Sequence, residues 1–352
     1  MKWDDVYISA SAAHLGSVVE DVRDAVAEGR YDAEEYAVDG YEHVRVAPDG
    51  ESPADMAVAA AQLAMSRSDV DRSNVVTVVH GGIGGQGLYY WPAASYIQEN
   101  TVGGSAYSFE VKQNSNSGMA ALEIAAAYLL TKPTPCAALV TTADQYKLPH
   151  FDRYNSDKGQ IRGDGASAAV LSRGTGKGVA RLLSTASIGD STHERLYRGS
   201  QPWENYPGAN GFPVDLRLRT KEYLMSGAQV PDIIMSVASQ QNKVIEAALG
   251  EAAVEVDELA RFVFPNTGLT LVDWEARKLA YGTDVAKSTW SWGKHMGHMG
   301  GGDQVAGLTW LLETKAVRPG DKVALTGIGA GFTFSCAVLE ILDVPEWTNS
   351  TT

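Results

Sequence analysis

Cysteine is nearly absent from this chain: only Cys136 and Cys336 occur among its 352 residues, and both lie inside apolar segments. Two such residues provide no disulfide framework, and neither they nor the seven histidines show metal-ligand spacing. We therefore expect a reduced protein without a metal site. Long apolar runs are missing as well, since none approaches the roughly 18 residues of a membrane span. Asp4 and Asp5 stand where a signal peptide would be basic and then apolar, which favours a cytoplasmic protein.

Positive charge is also scarce. The sequence has 29 Lys and Arg residues against 43 Asp and Glu residues, for a formal net charge of -14. An acidic surface disfavours binding to nucleic acid or to anionic membranes. The chain is 44% hydrophobic, which at this length is enough for a large core built as two domains or as one duplicated unit.

Short apolar runs alternate with helical segments along the chain. This alternation predicts an α/β protein with a largely parallel, buried sheet. The sequence predicts strands at 74–82, 136–144, 165–172, 179–190, 261–268 and 321–331, and helices at 117–130, 233–249, 273–282 and 303–315. The pattern occurs twice, and we divide the chain into halves 1–172 and 173–352. Only Glu346 to Thr352 are predicted to form a tail.

A glycine-rich loop follows the first of these strands. Gly82, Gly84 and Gly87 satisfy the GxGxxG pattern of dinucleotide-binding proteins, which would indicate a nucleotide-dependent oxidoreductase. The context disagrees, because Pro92 stands where the following helix should be well under way, and no clear acidic strand end follows about 20 residues on. A tightly packed glycine loop is the alternative interpretation.

The stretch EVKQNSNSGMAALEIAAAYLL (110–130) places small polar residues directly before an alanine-rich helix. A serine at this junction lies at the positive end of the helix dipole, where a developing anion is favoured and backbone N–H groups are unpaired. Ser115 is therefore a candidate nucleophile for acyl transfer. Helix capping by Ser115 or Ser117 is the competing interpretation.

Two further segments carry candidate site residues. WGKHMGHMGGGDQVAGLTWLL (292–312) holds His295 and His298 in a glycine- and methionine-rich loop, followed by Asp303 at a helix start. Asp303 either caps its helix or orients His298 so that the other ring nitrogen acts as a general base. In GIGAGFTFSCAVLE, which begins at Gly327, glycines let backbone N–H groups approach an oxyanion, or simply form a tight turn.

Taken together, these segments resemble ketoacyl synthase III and its KASIII-like acyltransferase relatives. VKQNSNSGMAALEIA is similar to the family's nucleophile elbow, IRGDGASAAVLS (161–172) to its GDGA strand, and GIGAGFTFSCAVLE to its C-terminal glycine motif. The resemblance implies a thiolase fold, with two pseudo-twofold-related βαβαβαββ halves in five αβαβα layers. It also implies a homodimer and an oxyanion hole formed at Ser115 and near Ala330. The acyl donor would be an acyl carrier protein or CoA, with no other cofactor.

Three positions depart from the condensing enzymes of that family. Ser115 stands at the usual cysteine position, Asn266 at a histidine position and Asp303 at an asparagine position. Asn266 cannot act as a base, so the departures disfavour decarboxylative condensation. A plain acyl transfer needs a nucleophile, one base and an oxyanion hole, which Ser115, His298 and Asp303 can supply together with the glycine motif. Asn266 is then predicted to bind the acceptor or the pantetheine, or is a structural remnant.

The resemblance therefore predicts an acyltransferase that moves an acyl group through a serine ester to a hydroxyl or amine of a small secondary metabolite, as in antibiotic biosynthesis. One alternative is a starter-unit-selecting ketosynthase III that primes a polyketide synthase. The oxidoreductase that uses the Gly82–Gly87 loop is a second. A non-catalytic subunit of a synthase complex is a third.

Overall fold

A computed structural model describes residues 1–282 and 284–352. The first half contains β1 (Val6–Leu15), β2 (Val18–Asp21), α1 (Val22–Ala27), α2 (Ala33–Asp39), β3 (His43–Val46), α3 (Pro53–Ser66), β4 (Val75–Gly81), α4 (Ala93–Glu99), β5 (Tyr107–Val111), α5 (Ser117–Leu129), β6 (Cys136–Asp144) and β7 (Gly165–Arg173). The three strands and the helix predicted in this half are all present, with ends within one residue of the prediction.

The second half contains β8 (Ala180–Gly189), α6 (Arg195–Arg198), α7 (Leu216–Met225), α8 (Val230–Ala252), β9 (Leu259–Val263), α9 (Trp274–Tyr281), α10 (Trp290–Gly293), α11 (Asp303–Glu313), β10 (Lys322–Gly329) and β11 (Thr333–Ile341). Strand β9 ends five residues before the predicted limit, at the approach to Pro265, because proline has no N–H to donate to a strand ladder. The division of the chain after residue 172 stays a prediction.

Within the described part of the chain, nine strands form one sheet in the order β5-β4-β6-β7-β1-β8-β11-β10-β9. Only the β5/β4, β4/β6 and β10/β9 pairs are parallel, whereas the five neighbouring pairs from β6 to β10 are antiparallel. The prediction of a largely parallel sheet is therefore wrong. Parallel pairs need a long crossover, but only three residues separate β10 from β11, and no helix separates β6 from β7.

Helices α5 and α11 lie at the centre of the molecule. Their apolar residues share one buried cluster with strands from both ends of the sheet, including Val79 and Val140 on one side and Val263 and Val323 on the other. Helix α3 covers the outer face of the β4, β6 and β7 region, and α8 covers β8, β10 and β11. The two ends of the sheet thus lie on opposite sides of the central helices, so the order of layers is helix, sheet, helices, sheet, helix, which agrees with the predicted αβαβα arrangement.

The C-terminal residues are not the tail that the sequence suggests. Glu313, at the end of α11, is buried and accepts hydrogen bonds from the backbone N–H groups of Ser350 and Thr351 and from both of their hydroxyls. Arg67 completes the site by pairing with Glu313 at 2.7 Å. A buried carboxylate needs such partners, and the last residues of the chain provide most of them.

Candidate active site

Ser115 lies in a tight turn between β5 and α5. Residues 114–116 form one turn of 3-10 helix, in which Asn114 has a left-handed φ of 50° that asparagine tolerates better than most residues. The Ser117 hydroxyl accepts a hydrogen bond from the Gln113 N–H, and no side chain caps α5 at its N-cap, Asn116. Ser115 is half-buried at the mouth of α5 and does not cap the helix.

The hydroxyl of Ser115 contacts an imidazole from the other half of the chain. Its Oγ lies 2.7 Å from His298 Nε2, and His298 Nδ1 lies 2.5 Å from Asp303 Oδ2. The side chains of His298 and Asp303 are 1% and 0% exposed, so both are shielded from water. Three residues separated by as many as 188 positions thus form one continuous hydrogen-bonded chain. Such a chain can move a proton from a hydroxyl to an imidazole and hold the resulting charge.

Asp303 is held by more than its contact with His298. Its Oδ1 accepts hydrogen bonds from the Met299 N–H and the Asn266 side-chain amide, and its Oδ2 accepts one from the Asn266 N–H at 2.7 Å. The residue also lies in the first turn of α11, where the helix dipole favours an anion. Both oxygens are therefore fixed, and Nδ1 of His298 is the nitrogen that faces the carboxylate.

Asn266 is buried behind this chain of hydrogen bonds. Its side-chain Nδ2 donates to Asp303 and to the Gly297 carbonyl, while its backbone carbonyl accepts from the Tyr41 hydroxyl at 2.6 Å. The residue is 2% exposed. These contacts make Asn266 a support for Asp303. Its role in substrate binding stays a prediction.

The turn between β10 and β11 lies beside Ser115. Asn114 donates a side-chain hydrogen bond to the Ala330 carbonyl at 3.1 Å. A Cβ on Gly329 would lie 2.0 Å from the Gln113 carbonyl, so only glycine allows this approach of the two turns. The structure therefore places Ala330 next to the Ser115 turn, whereas its function in an oxyanion hole stays a prediction.

Comparison with known proteins identifies the family to which this chain belongs. Residues 249–341 match the family described as 3-oxoacyl-[acyl-carrier-protein] synthase III C terminal. Over its full length the chain is similar to the solved structure of ChlB3, an acyltransferase, with 32% identity, 98% of this chain and 100% of that chain covered, and a TM-score of 0.90. The chain belongs to the KASIII-like family of the thiolase superfamily. The predicted thiolase fold is thereby confirmed.

Two other relatives agree with the KASIII-like assignment. The beta-ketoacyl-[acyl-carrier-protein] synthase III of Clostridium beijerinckii is 22% identical over 339 residues, which cover 96% of this chain and 99% of that protein. The synthase III structure of Pseudomonas aeruginosa PAO1, FabH, has 18% identity and a TM-score of 0.78, over 97% of this chain and 100% of that one, and shows the shared fold. This chain is therefore a KASIII-family enzyme of the transferase or synthase class.

The glycine loop of this KASIII-like enzyme serves an internal carboxylate. The backbone N–H groups of Ile83 and Gly84 donate to Oδ1 of Asp144 at 2.7 and 3.0 Å. Burial raises the pKa of Asp144 to about 7, and these hydrogen bonds oppose the rise. Residues 82–92 form turns, and α4 begins only at Ala93, so the helix that a dinucleotide fingerprint requires does not follow this loop. The comparisons give the oxidoreductase alternative no support.

The two cysteines are unsuited to nucleophilic attack. Both are buried, and burial raises the pKa of Cys336 to about 12 and that of Cys136 above its ordinary value. Because the thiolate is the reactive form of cysteine, neither residue can replace the cysteine of the condensing relatives. This leaves Ser115 as the nucleophile candidate that contacts His298.

Asp164, in the GDGA motif, is a supporting residue that the sequence patterns above do not single out. Asp164 is fully buried and accepts hydrogen bonds from the backbone N–H groups of Ala47 and Tyr146, and it pairs with Arg153 at 3.0 Å. Directly before it, the Gly163 N–H donates to the carbonyl of His298. An acidic residue between two glycines at the start of a buried strand is the signal that could have identified Asp164, since a buried carboxylate needs several donors.

Among the described residues, one group has the donors for a metal ion: Glu42, His43 and His295, whose ligand atoms lie within 4.8 Å of one another. Nδ1 of His43 is 2.9 Å from Nδ1 of His295, so the two imidazoles are already hydrogen-bonded, and Glu42 also pairs with Lys294. The sequence could not indicate this group because its histidines are 252 positions apart.

One further expectation can be compared with the fold. No helix within residues 1–282 and 284–352 has the length and apolar character needed to cross a bilayer.

Proposed function

We propose that this protein is an acyltransferase that carries an acyl group as an ester on Ser115 and passes it to a hydroxyl or amine of a small secondary metabolite. The observation that carries the proposal is the hydrogen-bonded chain from Ser115 through His298 to Asp303. Serine is a poor nucleophile at neutral pH without a base, and here an oriented imidazole touches its oxygen.

In the first step, His298 takes the Ser115 proton while Asp303 holds the imidazolium. The serine oxygen attacks the thioester carbonyl, and the carbon–sulfur bond breaks. The leaving thiolate receives the proton from His298 and departs as a thiol. We assign stabilisation of the intermediate oxyanion to the N–H groups of Ser115 and Ala330, since fixed N–H donors at a helix mouth favour a developing negative charge.

In the second step, His298 takes a proton from the acceptor hydroxyl or amine, whose oxygen or nitrogen then attacks the Ser115 ester. The bond from the acyl carbon to Ser115 breaks, and the proton on His298 returns to the serine oxygen. The net reaction exchanges the thiol of the donor for the acceptor. No cofactor beyond the phosphopantetheine that bears the acyl group enters this scheme.

Decarboxylative condensation fits the site less well. It would require donors to stabilise an enolate and would bring a malonyl carboxylate towards the site. Asp303 supplies only a negative charge, and the Asn266 amide nitrogen already donates to Asp303 and to Gly297. Like charges repel strongly where water is excluded. These features make the starter-unit ketosynthase the second candidate. The similarity of the chain to KASIII synthases is the observation that favours it.

The donor is proposed to be an acyl carrier protein or CoA thioester, because the curated relatives are named synthases of acyl-carrier-protein substrates. The similarity to ChlB3, which is named an acyltransferase, supports transfer without condensation. A homodimer, predicted from the family resemblance, and a cytoplasmic location, predicted from the composition of the sequence, complete the proposal.

A pulse-chase experiment tests the proposal. The enzyme is loaded with a radiolabelled acyl thioester, the donor is removed, and either a small amine or malonyl carrier protein is added. We expect label to leave the protein with the amine and no carbon dioxide to be released with malonyl carrier protein. Release of carbon dioxide would favour the starter-unit synthase, whereas no loading of wild type would favour the non-catalytic subunit. The Ser115→Ala variant is the control that should not load.

A further inference from the structure

A second polar group lies directly beside His298. The backbone of His298 forms a parallel bridge with that of Arg162, in which the His298 N–H donates to the Ile161 carbonyl at 2.8 Å and the Gly163 N–H donates to the His298 carbonyl at 3.1 Å. Paired residues of neighbouring strands direct their side chains to the same face. Arg162 therefore leaves the backbone on the side of the catalytic imidazole.

The guanidinium of Arg162 is buried and only partly satisfied. The residue is 5% exposed, and its Nη2 donates to Asp157 Oδ2 at 2.6 Å. Its Nε and Nη1 are buried and have no hydrogen-bond partner among the described residues. The same holds for the hydroxyl of Tyr146, a residue 4% exposed whose ring lies under the guanidinium at 5.4 Å.

The loop that carries His298 also touches this group. Gly300 has a left-handed φ of 63°, and a Cβ there would lie 2.2 Å from Asp144 Oδ2 and 2.9 Å from the Tyr146 hydroxyl. Tyr146 and Asp144 therefore pack against the backbone two residues beyond His298. We call Arg162 and Tyr146 the polar pair. Both of its members lie against backbone of the loop that carries His298.

Two donor groups of Arg162, the Tyr146 hydroxyl and the neighbouring Oδ2 of Asp144 are all buried without a hydrogen-bond partner among the described residues. Most buried polar atoms in folded proteins are hydrogen-bonded, so such a group has room for a further polar partner. A guanidinium has only donors, so its partner must be an acceptor oxygen or an anion. A site that hydrogen-bonds a substrate oxygen strongly rejects an analogue without that oxygen, because the polar atoms of the site are left unpaired when the analogue binds. An apolar pocket discriminates much less against a substrate that carries one additional group.

We propose that the polar pair selects acyl groups that carry a hydroxyl or carbonyl oxygen over plain alkyl or aryl groups. This inference rests on the proposed function, because it concerns the acyl group that Ser115 accepts. The donor groups of Arg162 bind the oxygen, and the Tyr146 hydroxyl donates to it or accepts from it. The ion pair with Asp157 holds the guanidinium in place.

Matched donors test this selection. Wild type is incubated with N-acetylcysteamine thioesters of salicylate and benzoate, and of 3-hydroxybutyrate and butyrate, and the rate of covalent labelling is followed by intact-mass spectrometry. Within at least one pair we expect the oxygen-bearing donor to label the protein about tenfold or more faster. Equal rates in both pairs, with Ser115 labelled by all four donors, would overturn the inference and leave the proposed function standing.

Two variants assign the selection to the polar pair. Tyr146→Phe removes the hydroxyl. The double variant Arg162→Met with Asp157→Asn removes the guanidinium without leaving a buried, unpaired carboxylate. Both should bring the ratio of rates towards one, chiefly by slowing the oxygen-bearing donor. A ratio unchanged from wild type in both folded variants would overturn the assignment.

Matched controls separate selection from general damage. Tyr31→Phe removes another buried tyrosine hydroxyl, one that is bonded to Asp39. The double variant Arg181→Met with Glu340→Gln removes another arginine–carboxylate pair, which is more exposed than that of Arg162 with Asp157. Both should keep the wild-type ratio. No labelling of wild type by any donor would overturn the proposed function and, with it, this inference.

Discussion

Replacing Asp303 by asparagine removes the negative charge beside His298 while keeping the size of the side chain. An amide has one acceptor oxygen, whereas both Asp303 oxygens are used. If the new NH₂ group takes the Oδ2 position, it faces the Asn266 N–H and forces Nδ1 of His298 to accept. The proton then lies on Nε2, which can no longer deprotonate Ser115. If the NH₂ group takes the Oδ1 position, it faces the Met299 N–H.

Both orientations have calculable costs. Each leaves at least one buried donor without an acceptor, at about 1–3 kcal/mol each. We therefore expect the free energy of unfolding to fall by about 2–5 kcal/mol, which a domain of ordinary stability survives at low temperature. Loss of the charge that stabilises an imidazolium, together with the wrong tautomer, should slow acylation by about 10²–10⁴-fold.

The assay is the rate of acylation of Ser115 in a single turnover, with the folded fraction measured by circular dichroism at the same temperature. Glu313→Gln is the matched control, because Glu313 is the other buried carboxylate of α11 and also uses both oxygens. The control should lose similar stability and keep its acylation rate. The reasoning is refuted if Asp303→Asn acylates at the wild-type rate, or if both variants lose the rate equally.

Three further outcomes follow from the packing and the charges. Gly329→Ala should lower the free energy of unfolding by about 1–3 kcal/mol and slow acylation, because the new Cβ collides with a backbone oxygen. Gly250→Ala is the control: the space around Gly250 is open, so this variant should be neutral or stabilised by up to about 1 kcal/mol. Urea unfolding and acylation rates measure both effects, and equal behaviour of the two variants would contradict the packing argument. Because the folded-state pKa of Asp144 is raised from 3.8 to about 7, the folded protein binds its proton more tightly, so this residue's contribution to stability is lost as pH rises from about 4 towards 7. Asp144→Asn should then flatten the pH dependence of the free energy of unfolding between pH 4 and 8, by at most about 4 kcal/mol, and an unchanged slope would contradict the shift. Deleting residues 348–352 should destabilise the fold by about 2–4 kcal/mol, because Glu313 loses most of its donors; a melting temperature equal to that of wild type would show that the tail does not dock.

Much of this architecture follows from patterns that are local in sequence. Strand β6 occupies 136–144 as predicted, because a short, mostly apolar segment that is rich in β-formers and bounded by turn residues favours a buried strand. The motifs that contain Ser115, His298 and Asp303 occur in the order found in a known family, and this order predicts that the three residues form one site. The first two are 183 positions apart in the sequence. Local spacing alone left capping open for Ser115 and for Asp303.

Other features depend on contacts that no local pattern encodes. The central strands of the sheet are antiparallel because several neighbouring strands are joined by connections without a crossover helix. The alternation of strands and helices along the sequence does not reveal which strands are joined in this way. Asn266 supports Asp303 from 37 positions away, partly through a backbone N–H, which every residue except proline possesses. In the sequence, Arg162 is one basic residue among many. Its place beside the site becomes evident only from the backbone pairing of Arg162 with His298.

Locating the acyl group on the protein is the most direct test of the account. Wild-type enzyme is treated with an acyl thioester, quenched, digested and mapped by tandem mass spectrometry, with the Ser115→Ala variant treated in parallel. We predict one modified peptide, with the added mass on the serine of residues 114–116 and resistant to neutral hydroxylamine as an oxygen ester. Added mass on Cys136 or Cys336, or equal labelling of the variant, would contradict it.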